Sequence, residues 1–293
     1  MNTSFLTSAC AGALLFVSAA AHADQLKIKA SALSPQDAAA LKGKTVAVVL
    51  HERGSYTWMT PGKVMFGLLG VAAMIKAGND FVAENQIPDP TALMRDQLAT
   101  ALRDRFGAQP ASPDTTTTKA HKPAELAKLH PETDYVLSVK HNGTMSSYYP
   151  GNFGRYWIAN SFLVQLVDTK SGRELTHATC FASIYKNPVR PSNEQLRANQ
   201  AQLAKDILAS LTWRCARQVS IDALKLAPEQ APAIPAEMVD PLTHVAEAPA
   251  TSAPADADAS ATAKPQDDPS AEPESTPEPA SETNAPETAS GHP

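Results

Sequence analysis

Cysteine is scarce in this chain, with three among 293 residues. Nucleotide chemistry has no visible home, because no Gly-Lys-Ser/Thr phosphate loop occurs. No Gly-x-Ser-x-Gly elbow marks a serine hydrolase. His51-Glu52-Arg53 does not continue to a second histidine at the zinc-protease spacing. The remaining histidines, at 22, 121, 130, 141, 177, 244 and 292, are scattered without a metal-ligand spacing. No metal site and no cofactor are expected from such a pattern, and the chain is read as a non-enzyme.

What is present begins at the amino terminus. Phe5 to Ala21 is apolar or small, too short for a membrane span, and ends in Ala21-His22-Ala23. That small-x-small ending predicts a cleaved secretory signal over residues 1–23, although no Lys or Arg precedes it. Lipidation at Cys10 is the weaker alternative, since Leu6-Thr7-Ser8-Ala9 leaves almost no apolar run before it. Export predicts a periplasmic protein, with association to the outer membrane as a further expectation. It also removes ATP and the genome from the partners, and the dispersed basic residues do not favour nucleic acid either.

Export would leave Cys180 and Cys215, and an even pair in an oxidising compartment predicts a disulfide. A catalytic thiol paired with His177 is disfavoured. Three residues along a strand, the two side chains would point to opposite faces.

Charge divides the chain. Residues 228–293 hold 13 acids and one lysine, a net of −12; with −5 for the whole chain, the remainder carries +7. The same segment has 13 of the 24 prolines. Its only large apolar residues are Ile234, Met238, Val239, Leu242 and Val245. A disordered acidic tail over 226–293 is therefore expected. A basic domain with an acidic tail fits self-association of the two, an anionic membrane surface or a cell-wall polymer. A solubilising spacer is the plainer role for the tail.

Residues 24–43 read as a lead and 44–225 as one domain. Lys44 to Leu50 is a short apolar run of β-branched character, a buried strand. Asp89-Pro90 is an N-cap followed by proline, after which Met94, Leu98, Ala101, Leu102 and Phe106 form one helix face before Gly107. Thr115 to Thr118 fits an edge strand or a loop, and Pro123 to Leu129 a short helix. Tyr135, Leu137 and Val139 alternate as a strand. Tyr156 to Val167 and Glu174 to Tyr185 form a hairpin around Asp168-Thr169-Lys170-Ser171-Gly172. Pro188 and Pro191 break the chain before a helix over 193–219. Its stripe of Leu196, Leu203, Ala204, Ile207, Leu208 and Leu211 carries Cys215. The order predicts an α/β class: a single α/β sandwich, a mixed sheet with helices packed on it, plus the tail.

Val46-Ala47-Val48-Val49, the Asp89-Pro90 helix, Thr133 to Leu137 and Leu166 to Leu175 together carry a resemblance. They look like the fold shared by the curli-secretion channel lipoprotein, the TolB amino-terminal domain and the lipoprotein activators of penicillin-binding proteins. The resemblance covers roughly residues 44–219. It implies an envelope protein working through protein contacts, as an oligomer or adaptor, with no catalytic residues to carry over. The chain departs from it in lacking a convincing lipobox and in an insertion over 54–88.

That insertion contains twelve uncharged residues between Lys63 and Lys76. As a helix they would span about 18 Å, short of a bilayer core. Three readings stay open: a helix buried in its own domain, an interface, or shallow insertion at a membrane surface. Trp58, Met65, Phe66 and Leu69 are its candidate contact residues. A second aromatic cluster, Tyr148, Tyr149, Phe153 and Trp157, is expected on a loop with the composition of a binding hot spot. The partner would be an envelope protein or a second copy. The enzymatic alternative is a cell-wall hydrolase using Asp134, Asp168 and Glu174.

Overall fold

A computed structural model describes residues 25–64, 67–243 and 245. The expected signal peptide and most of the tail lie outside the described residues. The fold is α/β. Its elements in chain order are β1 (Gln25–Ser31), α1 (Pro35–Ala40), β2 (Thr45–His51), β3 (Tyr56–Trp58), α2 (Pro61–Val64), α3 (Gly67–Glu84), α4 (Pro90–Phe106), β4 (Gln109–Pro110), β5 (Thr117–Thr118), α5 (Pro123–Leu129), β6 (Tyr135–Tyr149), β7 (Asn152–Asp168), β8 (Glu174–Ser183) and α6 (Asn193–Asp222). A single 3₁₀ turn, Ala236–Met238, follows.

The sheet runs β1-β8-β7-β6-β2-β4, with β3 continuing beside β6 and β5 beside the end of β2. β1, β8, β7 and β6 pair antiparallel; β2, β3 and β4 join parallel. Side-chain chemistry sets the start of α4 and of α6. Asp89 accepts from the Thr91 N–H (2.9 Å) to cap α4, and Gly107 ends it in the left-handed region at φ +66°. Ser192 and Gln195 exchange bonds across the start of α6 as a capping box. The backbone of α6 leaves the right-handed region at 198–201, so the expected single helix is two pieces.

The main core lies between one sheet face and α4 and α6. Met94, Leu98 and Leu102 meet Leu137 and Leu166, while Leu196, Ile207 and Leu211 join Ile158 and Phe162 in the same cluster. The opposite face carries a small cluster under α5, with Leu126 and Ala127 against Ala47, Val49, Val136 and Val167.

Several elements depart from the sequence reading. The expected lead contains β1, whose Leu26, Ile28 and Ala30 alternation is interrupted in hydropathy by Lys27 and Lys29. Past 225 the chain does not leave the domain at once. Arg217 donates to the carbonyls of Pro228, Ala231 and Pro232, and Leu242 is buried in the main core. The insertion is folded as β3 and α3, and its mouth is closed by Arg53, which donates to the carbonyls of Ile87 (2.8 Å) and Pro88 (3.1 Å). Where α3 crosses β3, Gly78 lets the backbones touch: a Cβ there would lie 2.0 Å from the Tyr56 carbonyl oxygen. The described part of α3 is buried on one side only. Met74, Gly78 and Phe81 face inward, while Val71, Ala72 and Ala73 are exposed. No helix among the described residues is long and apolar enough to cross a membrane.

Cys180 of β8 and Cys215 of α6 form a disulfide, with Cα atoms 5.8 Å apart at a sequence separation of 35. It ties the closing helix to β8, the strand beside the β1 edge of the sheet. Closing a loop of that size stabilises by about 3–4 kcal/mol in the chain-entropy account. Replacing both cysteines by alanine is expected to lower the unfolding free energy by about that amount. A denaturant titration reads it, and a loss below about 1 kcal/mol would show that packing alone holds α6.

Candidate binding face

The aromatic segment expected on a loop is the tip of a long hairpin. β6 and β7 pair from Tyr135↔Asp168 to Tyr149↔Asn152, leaving only Pro150 and Gly151 in the turn. Gly151 adopts φ +76°, which glycine reaches without the cost that a Cβ brings. The register then shifts, so that residues 153–155 of β7 have no partner on β6 and the two neighbouring tyrosines, on opposite sides of the strand, join different rings.

Two ring clusters result. Tyr148 meets Phe153 edge to face at 5.1 Å. Tyr149 stacks on Tyr185 at 5.3 Å, and Trp157 abuts the same Tyr185 edge to face at 5.4 Å. The Arg190 guanidinium lies over the Tyr149 ring, 4.5 Å from its centroid. The Trp157 indole N–H donates to the Tyr148 carbonyl (3.2 Å) and joins the clusters. Arg155 donates to the Arg190 carbonyl (3.2 Å), which holds the loop carrying Arg190. Phe153 is 59% exposed and Tyr185 39%, whereas Tyr149 is buried. The side chains are therefore fixed by neighbours before any partner arrives, which lowers the entropy lost on binding.

The candidate residues of the insertion fare differently. Trp58 is 1% exposed. It packs on Phe81 at 4.4 Å and beneath the Arg197 guanidinium at 4.8 Å. In this chain it is an anchor of the insertion rather than a surface group, because β3 is drawn into the sheet beside β6. Met65 and Phe66 lie outside the described residues, and Leu69 falls in the first turn of α3.

The carboxylates of the enzymatic alternative have structural partners. Asp134 accepts from the Thr45 N–H (3.1 Å) and from Lys44 (3.2 Å); the Thr45 N–H above all holds its pKa below the usual carboxylate value. Asp168 accepts from the N–H groups of Lys170 and Ser171 and shapes the hairpin turn. Glu174 bonds Gln165 (2.7 Å) and His177 (3.0 Å). Cys180 carries no free thiol for a dyad with His177. Among the described residues, no group of three or more His, Cys, Asp or Glu is placed to hold a metal.

Two histidines are buried. His51 Nε2 lies 2.8 Å from the Ser138 hydroxyl. His141 Nε2 lies 3.1 Å from Thr144 Oγ1, which in turn donates to Asn160 Oδ1. His141 Nδ1 and Asn160 Nδ2 have no hydrogen-bond partner among the described residues. Gly54 packs so closely here that a Cβ would lie 2.9 Å from His141 Nδ1. The beginning of the insertion thus rests on this ring. Burial lowers the pKa of both histidines.

Tyr185 and Arg190 belong to this face and are not among the residues that the sequence singles out. The usable signal is their place beside Pro188 and Pro191, where the chain leaves β8 and turns back past the tip of the hairpin.

No family model matches this chain, and no curated protein matches it. Among solved structures it is similar to two PelC dodecamers from Paraburkholderia phytofirmans. One is a single-substitution variant of PelC, matched at 15% identity with a TM-score of 0.30, over 71% of this chain and 100% of that one. The other is matched at 14% identity with a TM-score of 0.28, over 71% of this chain and 100% of that one. The chain is also similar to a lipoprotein from Neisseria meningitidis, at 15% identity over 60% of this chain and 98% of that one, with a TM-score of 0.26. Likeness at such scores carries no argument about function, which rests on the chain's own surface.

A histidine held neutral in the fold binds fewer protons than in the unfolded chain below its ordinary pKa of 6.5. Stability is therefore full above about pH 6.5 and falls as the pH drops towards the lowered folded values. Denaturant midpoints at pH 7.5 and pH 5 are expected to show this loss. The chain with His51→Gln and His141→Gln should lose most of the difference over that interval. An unchanged difference would assign the pH response to other groups.

Proposed function

We propose that this chain is a non-catalytic binding protein of the cell envelope. It works as an adaptor or accessory subunit through the aromatic tip of the β6–β7 hairpin. The observation that carries the reading is the gathering of exposed Phe153 and of Trp157 from the hairpin with Tyr185 and Arg190 from the β8–α6 connection, in rings that contact one another or Tyr148 and Tyr149. Exposed aromatics with arginine are the residue types that dominate binding energy at protein interfaces. An exposed Phe is unfavourable in water, and a partner surface would relieve that cost. The partner class is another envelope protein or a second copy of this chain. The secretory pattern of residues 1–23 supports the compartment.

The experiment is in-cell photo-crosslinking with the probe at position 153. A discrete protein adduct is expected, and Tyr185→Ser in the same chain should abolish it. Phe153→Ser should change folding stability by no more than about 0.5 kcal/mol, because the side chain is exposed. A folded, exported chain that gives no adduct at 153 would overturn the reading.

A further inference from the structure

The face of the sheet opposite α4 and α6 is covered by α5 only at one end. Beyond it, the pairing register places side chains in rows. Lys140 of β6 pairs with Leu163, Leu163 with Thr179, and Thr179 with Lys29 of β1. The next row along β1 is Gly143, Ser161, Phe181 and Lys27. Directly paired residues share a face, so Lys27, Lys29 and Lys140 stand on this open side. Lys140 and Lys29 are three strand spacings apart, roughly 14 Å. None of the three lysines is ion-paired with an acid among the described residues. Glu174, at the α5 end, is occupied by Gln165 and His177.

Beside the Lys140–Lys29 row, and reaching Phe181, the partner of Lys27, lies a shallow groove of about 240 Å³. Its floor and walls mix hydroxyl and amide groups with apolar ones: Ser55, Thr57, Asn142 and Ser161 beside Met145 and Phe181. Asn142 is the extra residue of a bulge between His141 and Gly143, and its amide reaches Ser161 Oγ at 3.5 Å. Gly143 keeps the groove open on the β3 side: it adopts φ +134°, and a Cβ there would lie 3.0 Å from the Ser55 carbonyl oxygen.

We propose that this face binds an anionic glycan chain. Three features select that occupant. The lysines are spread across the face, which suits repeated charges along a polymer better than one compact anion. The groove offers hydroxyl and amide partners for sugar hydroxyls, with the Phe181 ring and the Met145 side chain for the apolar side of a sugar ring. The apolar residues here are half-buried and recessed, whereas membrane-surface binding needs apolar groups that project into the acyl boundary. The site is separate from the contact at Phe153 and does not depend on it.

The test is titration of the full chain with polygalacturonate, read by calorimetry at low and at physiological salt. Saturable binding is expected, weakened by salt as exposed charge pairs are. Lys27→Gln, Lys29→Gln and Lys140→Gln together should weaken it by about tenfold or more, as loss of three exposed attractions implies. Ser161→Trp, which leaves the charge unchanged and fills the groove, should weaken it as well. Phe153→Ser should leave it unchanged, so failure here and failure of the aromatic contact are read separately. Binding that survives Ser161→Trp would reduce the site to unspecific attraction and overturn the proposal. So would binding to phosphatidylglycerol vesicles without binding to polygalacturonate, or equal binding to neutral dextran. Thermal melts of both lysine and serine variants confirm folding, and a variant that unfolds is replaced by Lys29→Gln with Lys140→Gln or by Ser161→Tyr.

Discussion

The antiparallel ladder between β6 and β7 is the constraint on which the rest of the structure depends. It is the longest pairing in the sheet, and every other strand is placed from one side of it or the other. Side chains alternate with a period of two, so a slip of one residue would turn Phe162 and Leu166 out of the core. The disulfide, the seat of α4 and α6, the aromatic tip and the open face all follow from this register. Its bulge at Asn142 matters most. Before the bulge, odd-numbered residues of β6 face the core: Tyr135, Leu137 and Val139. After it, even-numbered ones do: Thr144 and Ser146.

That switch decides both what the sheet covers and what it leaves open. Thr144, Ser146 and Asn160 are polar residues at buried positions, joined in part by the His141–Thr144–Asn160 chain. Buried polar groups are costly unless partnered, and they fix an arrangement more firmly than apolar packing does. Here they coincide with the place where the insertion enters, with Gly54 against His141 and β3 against β6. The insertion is thus keyed to the sheet by shape and polarity at its root, and by Trp58 and Phe81 further along. On the other side of the same strands, the bulge puts Asn142 and Gly143 at the rim of the groove.

The elements with one unbroken pattern were legible in the sequence. The helix from Pro90 to Phe106 carries its cap, its stripe and its stop, and the structure places all three. The turn from Asp168 to Gly172 and the pairing of Cys180 with Cys215 were equally readable. The register of β6 was not, because the Tyr135–Val139 alternation changes parity at Asn142 and then continues through polar residues. Without that continuation, Tyr148 to Trp157 reads as an aromatic loop. All four aromatic candidates, Tyr148, Tyr149, Phe153 and Trp157, stand at the tip, but Tyr185 and Arg190 reach it from a distant stretch of chain. β1 was hidden for a simpler reason: as an edge strand with one face towards water, it alternates lysine with apolar residues and buries little.

An antiparallel sheet can leave one face to water, and a polar face needs no ligand to explain it. Two details distinguish this one from a solvated face of ordinary composition. Lysines on an edge strand commonly guard against strand-to-strand aggregation. Lys27 and Lys29 fit that description, but Lys140 stands on β6, inside the strand order rather than at its outer edge. A solvated face also has no use for the ring of Phe181 or for a bulge that hollows its centre. The bulge sets Asn142 and Gly143 beside Ser161, the β1–β8–β7 register brings Phe181 and the β1 lysines to the same face, and that coincidence separates a built surface from a residual one.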